Sequence, residues 1–174
     1  MPLIKLSVVI PAYEEEENLK DLLPKIKKNL LGISHEILVI DTQKKRDKTD
    51  QIAKINKVKY INRKPNNSYG TAIRTGVEEA KGEFILFMDA DGSHEPLYIP
   101  KLLQYVDQYD IVSASRYIHG GKTDNPHILN LMSLILNKTY AFILEIPMKD
   151  ISNSMKVYRS NDLAVFRTMA EQSL

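Results

Sequence analysis

The sequence predicts an α/β protein: an open, twisted, mostly parallel sheet flanked by helices. Three observations carry that prediction. Short apolar runs alternate with helix-like segments along the whole chain. The runs are nearly continuous in apolar residues rather than alternating, as strands covered on both faces are. Polar and charged residues gather just after the runs, where open parallel sheets place their ligand sites.

Taken in order, 6–10 reads as the first strand and 15–30 as the first helix, with Pro24 expected to kink or break it. Residues 36–40 read as the second strand, ending at Asp41. A short helix over 49–55 and a third strand over 58–61 follow. Residues 69–80 read as a helix that Lys81-Gly82 stops. The fourth strand is 84–88, and 97–109 is mostly helix. A fifth strand spans 111–114, and a longer apolar helix spans 128–144. A last short strand over 154–158 precedes a terminal helix. No repeat, low-complexity tract or linker interrupts the series, so 1–174 is expected to form one domain.

Composition narrows the class. With 43% hydrophobic and 26% charged residues the chain reads as an ordinary globular protein. A net charge of +2 gives no reason to expect nucleic-acid binding. The clusters Lys25/Lys27/Lys28 and Lys44/Lys45/Arg46 read as solvated faces before they read as a polyanion site. Cysteine is absent, which excludes disulfides, thiol nucleophiles and thiolate metal sites. No secretory leader is visible, and no run has the apolar length of a spanning helix. The nearest, 128–146, is interrupted by Asn130, Asn137, Lys138 and Glu145. It reads either as a helix covering the sheet or as one lying in a membrane interface. The expected location is the cytoplasm.

The most informative stretch is Phe84-Ile85-Leu86-Phe87-Met88 running into Asp89-Ala90-Asp91. In extended backbone, residues two apart share a face, so Asp89 and Asp91 can aim at one point. Two carboxylates that close repel unless a cation lies between them. Mg²⁺ or Mn²⁺ suits an all-oxygen site and commonly carries substrate phosphates. The competing reading is a polar turn after a strand. Ser93 and His94, just downstream, are candidate additional ligands, although a histidine in such a turn also serves as a packing or hydrogen-bonding residue.

Other strand ends add candidates. Pro11-Ala12-Tyr13-Glu14-Glu15 follows the first strand, and the acidic run 14–17 also suits a helix N-terminus. Asp41, ending the second strand, is placed to accept hydrogen bonds from a base or ribose, or to cap its own loop. Arg116 follows the fifth strand, where its planar fork matches a phosphate or forms a surface salt bridge. Lys122, on the glycine-containing loop beyond, is a second cation for the same role. The phosphate-loop, dinucleotide and nucleophile-elbow patterns are all missing.

Together the stretches 7–15, 70–72, 88–96 and 115–117 resemble family 2 glycosyltransferases, and most closely the dolichyl- or polyprenyl-phosphate sugar synthases. Ser133, Asn137 and the segment from Asp150 to Arg159 resemble later parts of that branch. The resemblance spans about residues 5–160. It implies a GT-A (nucleotide-diphospho-sugar transferase) fold and a metal-dependent, inverting hexosyltransferase with Mg²⁺ or Mn²⁺. It implies a GDP-mannose or UDP-sugar donor and a polyprenyl or dolichyl phosphate, or a glycan, as acceptor. Peripheral contact with the cytoplasmic face of a membrane follows from such an acceptor. Carried over by position, Pro11, Tyr13, Glu15, Asp41, Asp89 and Ala90 line the nucleotide pocket. Asp89, Asp91 and Ser93 frame the metal. Arg116 and Lys122 meet phosphate, and Asp150 is the acceptor-side carboxylate. Asp91, Asp150 and Arg116 are therefore the catalytic candidates. The chain departs from the family pattern at Thr42, Asn130 and Lys156, and it ends soon after the shared region, as a compact member or a catalytic-domain fragment would. A non-catalytic sugar-nucleotide-binding or scaffold module is the alternative.

Overall fold

A computed structural model describes residues 4–118 and 127–163, with only the backbone of His127. The chain divides into two compact units. One comprises residues 1–112 and 155–174, the other 113–154. The terminal helix expected from the sequence falls beyond residue 163, outside the described residues.

The first unit is built on β1 (Leu6–Pro11), β2 (His35–Asp41), β3 (Lys59–Asn62), β4 (Phe84–Phe87), β5 (Ile111–Ser113) and β6 (Lys156–Arg159). The chain passes into the second unit at the end of β5. Strand order is β3-β2-β1-β4-β6-β5. β1 pairs in parallel with both β2 and β4, β2 pairs in parallel with β3, and β6 runs antiparallel to β4. The chain leaves β1 toward β2 on one side and later returns to pair β4 on the other. The order therefore reverses beside β1, and a crevice opens at the carboxyl ends of β1 and β4.

Every residue of β1 is buried, as a two-face-covered strand requires. Its one polar side chain, Ser7, is satisfied: the hydroxyl donates to Glu36 Oε1 at 2.6 Å and accepts the Gly82 N–H at 2.8 Å. Helix α1 (Glu16–Asn29) buries Leu19, Leu22, Leu23 and Ile26, one stripe at helical spacing. Glu16 and Glu17 in its first turn and Lys27 and Lys28 in its last complement its dipole. The helix continues through Pro24, so of the kink or break expected there the break does not occur. Pro24 sits on the exposed face, so the carbonyl deprived of its partner is that of Lys20, which is open to solvent.

Helix α2 is Thr49–Ile55 and α3 is Tyr69–Glu79. The Ser68 hydroxyl caps α3 by accepting the Thr71 N–H. α3 packs on β1 at Gly76, where a β-carbon would stand 2.3 Å from Val9 Cγ1. Helix α3 ends at Glu79, close to the stop expected at Lys81-Gly82, and Gly82 has a further role. Backbone of β1 passes so close that a β-carbon there would lie 2.5 Å from Ser7 N. The segment expected to be mostly helix over 97–109 is a 3₁₀ turn (Pro96–Tyr98), the short helix α4 (Ile99–Leu103) and further tight turns. Among those turns, Arg159 Nη2 takes the Val106 carbonyl at 3.3 Å.

The second unit contains helix α5 (His127–Ile143). Its burial is inverted. Asn137 is 1% exposed, while Ile128, Met132, Ile135, Phe142 and Ile143 are all more than half exposed. The helix turns a polar stripe inward and an apolar one outward. Among the described residues no helix is long and apolar enough to cross a membrane.

Candidate functional site

In the first unit the crevice beside β1 is a cleft of about 300 Å³. Six of its lining residues come from two segments that the topology brings together. The loop after β1 supplies Pro11, Tyr13 and Glu15, and the bend after β4 supplies Asp89, Ala90 and Asp91. All six were legible in the sequence. Ala12, Arg63, Asn67 and Tyr69 complete the lining. Arg63 directly follows β3, so the strand-end rule extended to the third strand would have found it. Asn67 and Tyr69 flank the capped start of α3. A second hollow, of about 280 Å³, lies at the opposite edge of the sheet among Lys27, His35, Glu36 and Lys57–Lys59. Two of its lysines are committed, Lys27 to the Asn56 carbonyl and Lys59 to Glu79, and it has no polar convergence comparable to the first.

The loop after β1 holds Glu14 at φ 59°, a left-handed conformation that costs a side-chain-bearing residue energy. Glu14 pairs with Arg46 at 3.1 Å, and the Arg46 guanidinium lies 4.9 Å from the centre of the Tyr13 ring. The loop 43–48 therefore contributes a cation that holds Tyr13 of the cleft from one face.

Asp89 and Asp91 lie just beyond β4, in a bend that Gly92 turns with φ 80°. The Asp89 N–H donates to His94 Nδ1 at 3.1 Å, and Tyr69 Oη donates to Asp89 Oδ1 at 3.3 Å. His94 Nδ1 is thus spent on the backbone of the acidic pair. The buried ring braces the bend and does not line the cleft. Ser93 also lies off the cleft lining, and its N–H donates to Asp91 Oδ1 at 2.9 Å. Burial raises the Asp91 carboxyl, but the Ser93 hydroxyl and N–H and the neighbouring His94 outweigh it, leaving the group below the usual carboxylate range. Asp91 is therefore an anion at neutral pH. Among the described residues no three acidic or histidine side chains converge on one point. Two carboxylates on one cleft nonetheless fit a hard dication that keeps water and substrate phosphate as its other ligands.

Asp41 does not reach the cleft lining. It is 1% exposed, accepts the Thr42 N–H at 2.7 Å and accepts the Tyr60 hydroxyl at 2.9 Å. Burial and the Asp41 charge push the Tyr60 hydroxyl up to about 12, so it stays a donor.

The second unit holds its own polar cluster. Arg116 grips Asp150 in a fork, Nε to Oδ2 at 2.9 Å and Nη2 to Oδ1 at 2.8 Å, and the Arg116 N–H donates to Oδ2 at 3.0 Å. The Asp150 side chain is fully buried, whereas that of Arg116 is 23% exposed. Ser152 Oγ lies 2.8 Å from Arg116 Nη2, and Ser133 Oγ 3.4 Å from it. Asn137 joins the group through its Nδ2 to Ser152 Oγ at 3.0 Å and its Oδ1 from the Ser152 N–H at 2.9 Å. The buried stripe of α5 thus packs on this cluster. Lys122 lies outside the described residues.

The sequence matches the family model "Glycosyl transferase family 2" over residues 7–166. It is 37% identical over 126 residues to the dolichol-phosphate mannosyltransferase of Pyrococcus furiosus, covering 70% of this chain and 36% of that protein. It is 30% identical to the undecaprenyl-phosphate 4-deoxy-4-formamido-L-arabinose transferase of Aeromonas hydrophila, over 98% of this chain and 54% of that protein. The chain therefore spans between about a third and a half of these relatives' length. Its fold is similar to glucosyl-3-phosphoglycerate synthase from Mycobacterium tuberculosis, solved with Mn²⁺, UDP and phosphoglyceric acid. The TM-score is 0.70 at 18% identity, covering 91% of this chain and 57% of that one. It is also similar to TarS of S. aureus, with a TM-score of 0.65 at 20% identity, covering 92% of this chain and 48% of that one. The fold is that of the GT-A glycosyltransferases, and the chain belongs to glycosyl transferase family 2.

Proposed function

We propose that this chain carries the catalytic unit of an inverting glycosyltransferase. It moves a hexose from a nucleotide-diphosphate sugar to a polyprenyl phosphate. The carrying observation is the cleft at the strand-order reversal, where Asp89 and Asp91 share one opening with Tyr13 and Glu15. Pro11, Tyr13 and Glu15 line the nucleoside end, and Asp89 and Asp91 would hold Mg²⁺ or Mn²⁺. Such an ion, when bound there, would supply positive charge against the leaving diphosphate. An oxygen of the acceptor phosphate forms the new bond to the anomeric carbon from the opposite face, and the bond to the nucleotide diphosphate breaks. That acceptor is already anionic at neutral pH, so no base need remove a proton from it.

Asp150 suits a positioning task rather than proton transfer. Its buried oxygens are taken up by Arg116 and Ser152. Arg116, held this way and still partly exposed, is the phosphate-facing cation. The outward apolar stripe of α5 supports peripheral contact with a lipid surface, where a polyprenyl acceptor resides. Both relatives carry polyprenyl-linked names, which supports the acceptor class.

The test is incubation with GDP-mannose or UDP-glucose, Mn²⁺ and polyprenyl phosphate in detergent. Release of free nucleoside diphosphate that depends on both lipid and metal supports the proposal. Saturable nucleotide binding without release, across both donors, would instead identify a binding module.

A further inference from the structure

We infer that Arg63 is a positioning residue that spans the donor cleft and fixes the spacing of its two side walls. Arg63 is 3% exposed and lines the cleft. One arm, Nη2, donates to the carbonyl of Ala12 in the loop after β1. The other, Nη1, donates at 3.2 Å to the carbonyl of Ser68, the capping residue of α3. These walls are 56 residues apart in sequence (68 − 12), and no strand pairing joins the 12–16 loop to the start of α3. A planar fork with fixed spacing between its donors holds both carbonyls at once; an ammonium is a single point and does not.

The arrangement is costly, and the cost points to a task. A buried cation loses its hydration and is normally compensated by a carboxylate in contact. Among the described residues no carboxylate makes an ion pair with Arg63, and only the more distant charge of Asp41 offsets its burial. Among the described residues its Nε–H has no hydrogen-bond partner. A methionine would fill similar space without burying a charge. The other charged residues of the cleft, Glu15, Asp89 and Asp91, are acidic. Arg63 is thus the cleft's one cation among its lining residues, wedged where the loop bearing Tyr13 and Glu15 meets the helix start bearing Tyr69.

This role rests on the cleft being the donor site, so the experiment separates the two claims. Arg63→Met removes the fork and the charge; Arg63→Lys keeps the charge but not the fork. Amide hydrogen exchange is measured over residues 13–16 and 69–72. GDP and UDP affinities are measured calorimetrically with Mn²⁺, well below each variant's melting temperature. In Arg63→Met, exchange is expected to rise in both segments, and affinity for the preferred nucleotide to fall at least tenfold. Arg63→Lys is expected to fall between the variant and wild type. A residue that merely stabilised the fold would lower the melting temperature but leave the folded fraction's affinity unchanged. Affinity within twofold of wild type, or faster exchange in neither or only one wall, overturns the inference. If wild type binds neither nucleotide, the donor-site reading fails, and exchange in the two walls alone decides whether Arg63 spans them. If Arg63→Met does not fold, Arg63→Lys supplies both readouts.

Discussion

Replacing Asp150 with asparagine keeps its shape and removes its charge. In the native second unit the carboxylate accepts from Arg116 N, Nε and Nη2 at 2.8–3.0 Å, and from Ser152 Oγ at 3.3 Å. Asparagine retains one acceptor oxygen. Its amide group turns donors toward either Nη2 or the backbone N–H, so donor faces donor. A charge-assisted bond contributes about 1.5–3 kcal/mol, and breaking one side of a buried ion pair costs about 3–5 kcal/mol. Arg116 keeps 23% of its side-chain surface, so solvent relieves part of its lost partner. The expected cost is about 2–4 kcal/mol. Removing both charges together in Arg116→Met/Asp150→Leu should cost less than the two single changes summed.

The assay is urea unfolding followed by circular dichroism and tyrosine fluorescence, since the chain has nine tyrosines and no tryptophan. Amide exchange over 115–118 and 150–154 reports the second unit directly. Acid adds a second signature. Burial alone would raise the Asp150 carboxyl, but Arg116 outweighs it and holds the group below its ordinary 3.8. The unfolded chain therefore binds more protons between the two values. The stabilisation is complete above the ordinary value and is lost as pH falls through the native one. The slope this carboxyl contributes should vanish in Asp150→Asn. A variant within 0.5 kcal/mol of wild type (on the order of the effect of a neutral surface change), with an unchanged acid slope, would refute the reasoning.

Other changes test packing and strain. Gly82→Ala should cost more than about 3 kcal/mol or abolish folding, because its new methyl meets rigid backbone at Ser7; thermal melting measures it. Gly76→Ala should cost about 1–3 kcal/mol and be partly rescued by Val9→Ala, because there the obstruction is a side chain. Glu14→Gly should raise stability by about 0.5–1 kcal/mol by relieving φ 59°, since the exposed ion pair with Arg46 contributes little. Phe142→Ser, altering a side chain that is 86% exposed, should leave the melting temperature almost unchanged while weakening sedimentation with polyprenyl-phosphate liposomes.

Much of this was legible where one physical cause dominated. The buried strands declared themselves by unbroken apolar runs, and the strand-end rule brought Tyr13, Glu15, Asp89 and Asp91 to one opening. Where two causes compete, local sequence was a poorer guide. Pro24 looked like a breaker because the exposure of its turn is a tertiary fact. Gly82 read only as a helix stop because close backbone approach leaves no local trace. Asp41 looked like a ligand group, yet Tyr60 and Thr42 from its neighbourhood had already claimed its oxygens. Arg63 was hidden for the opposite reason. A lone arginine after a short strand resembles any surface cation until the fold buries it. The inverted burial of α5 could not be read from its apolar length, since a core helix and an interfacial helix look alike there.

The most direct measurement is calorimetric titration of GDP and UDP into wild type and Asp91→Asn, each with Mn²⁺ and with EDTA. One nucleotide should bind wild type only when Mn²⁺ is present. Its affinity should fall at least about tenfold, or about 1.4 kcal/mol, in Asp91→Asn while the melting temperature of the free protein holds. Equal binding with and without metal, or in wild type and variant alike, would contradict a dication held by the acidic pair.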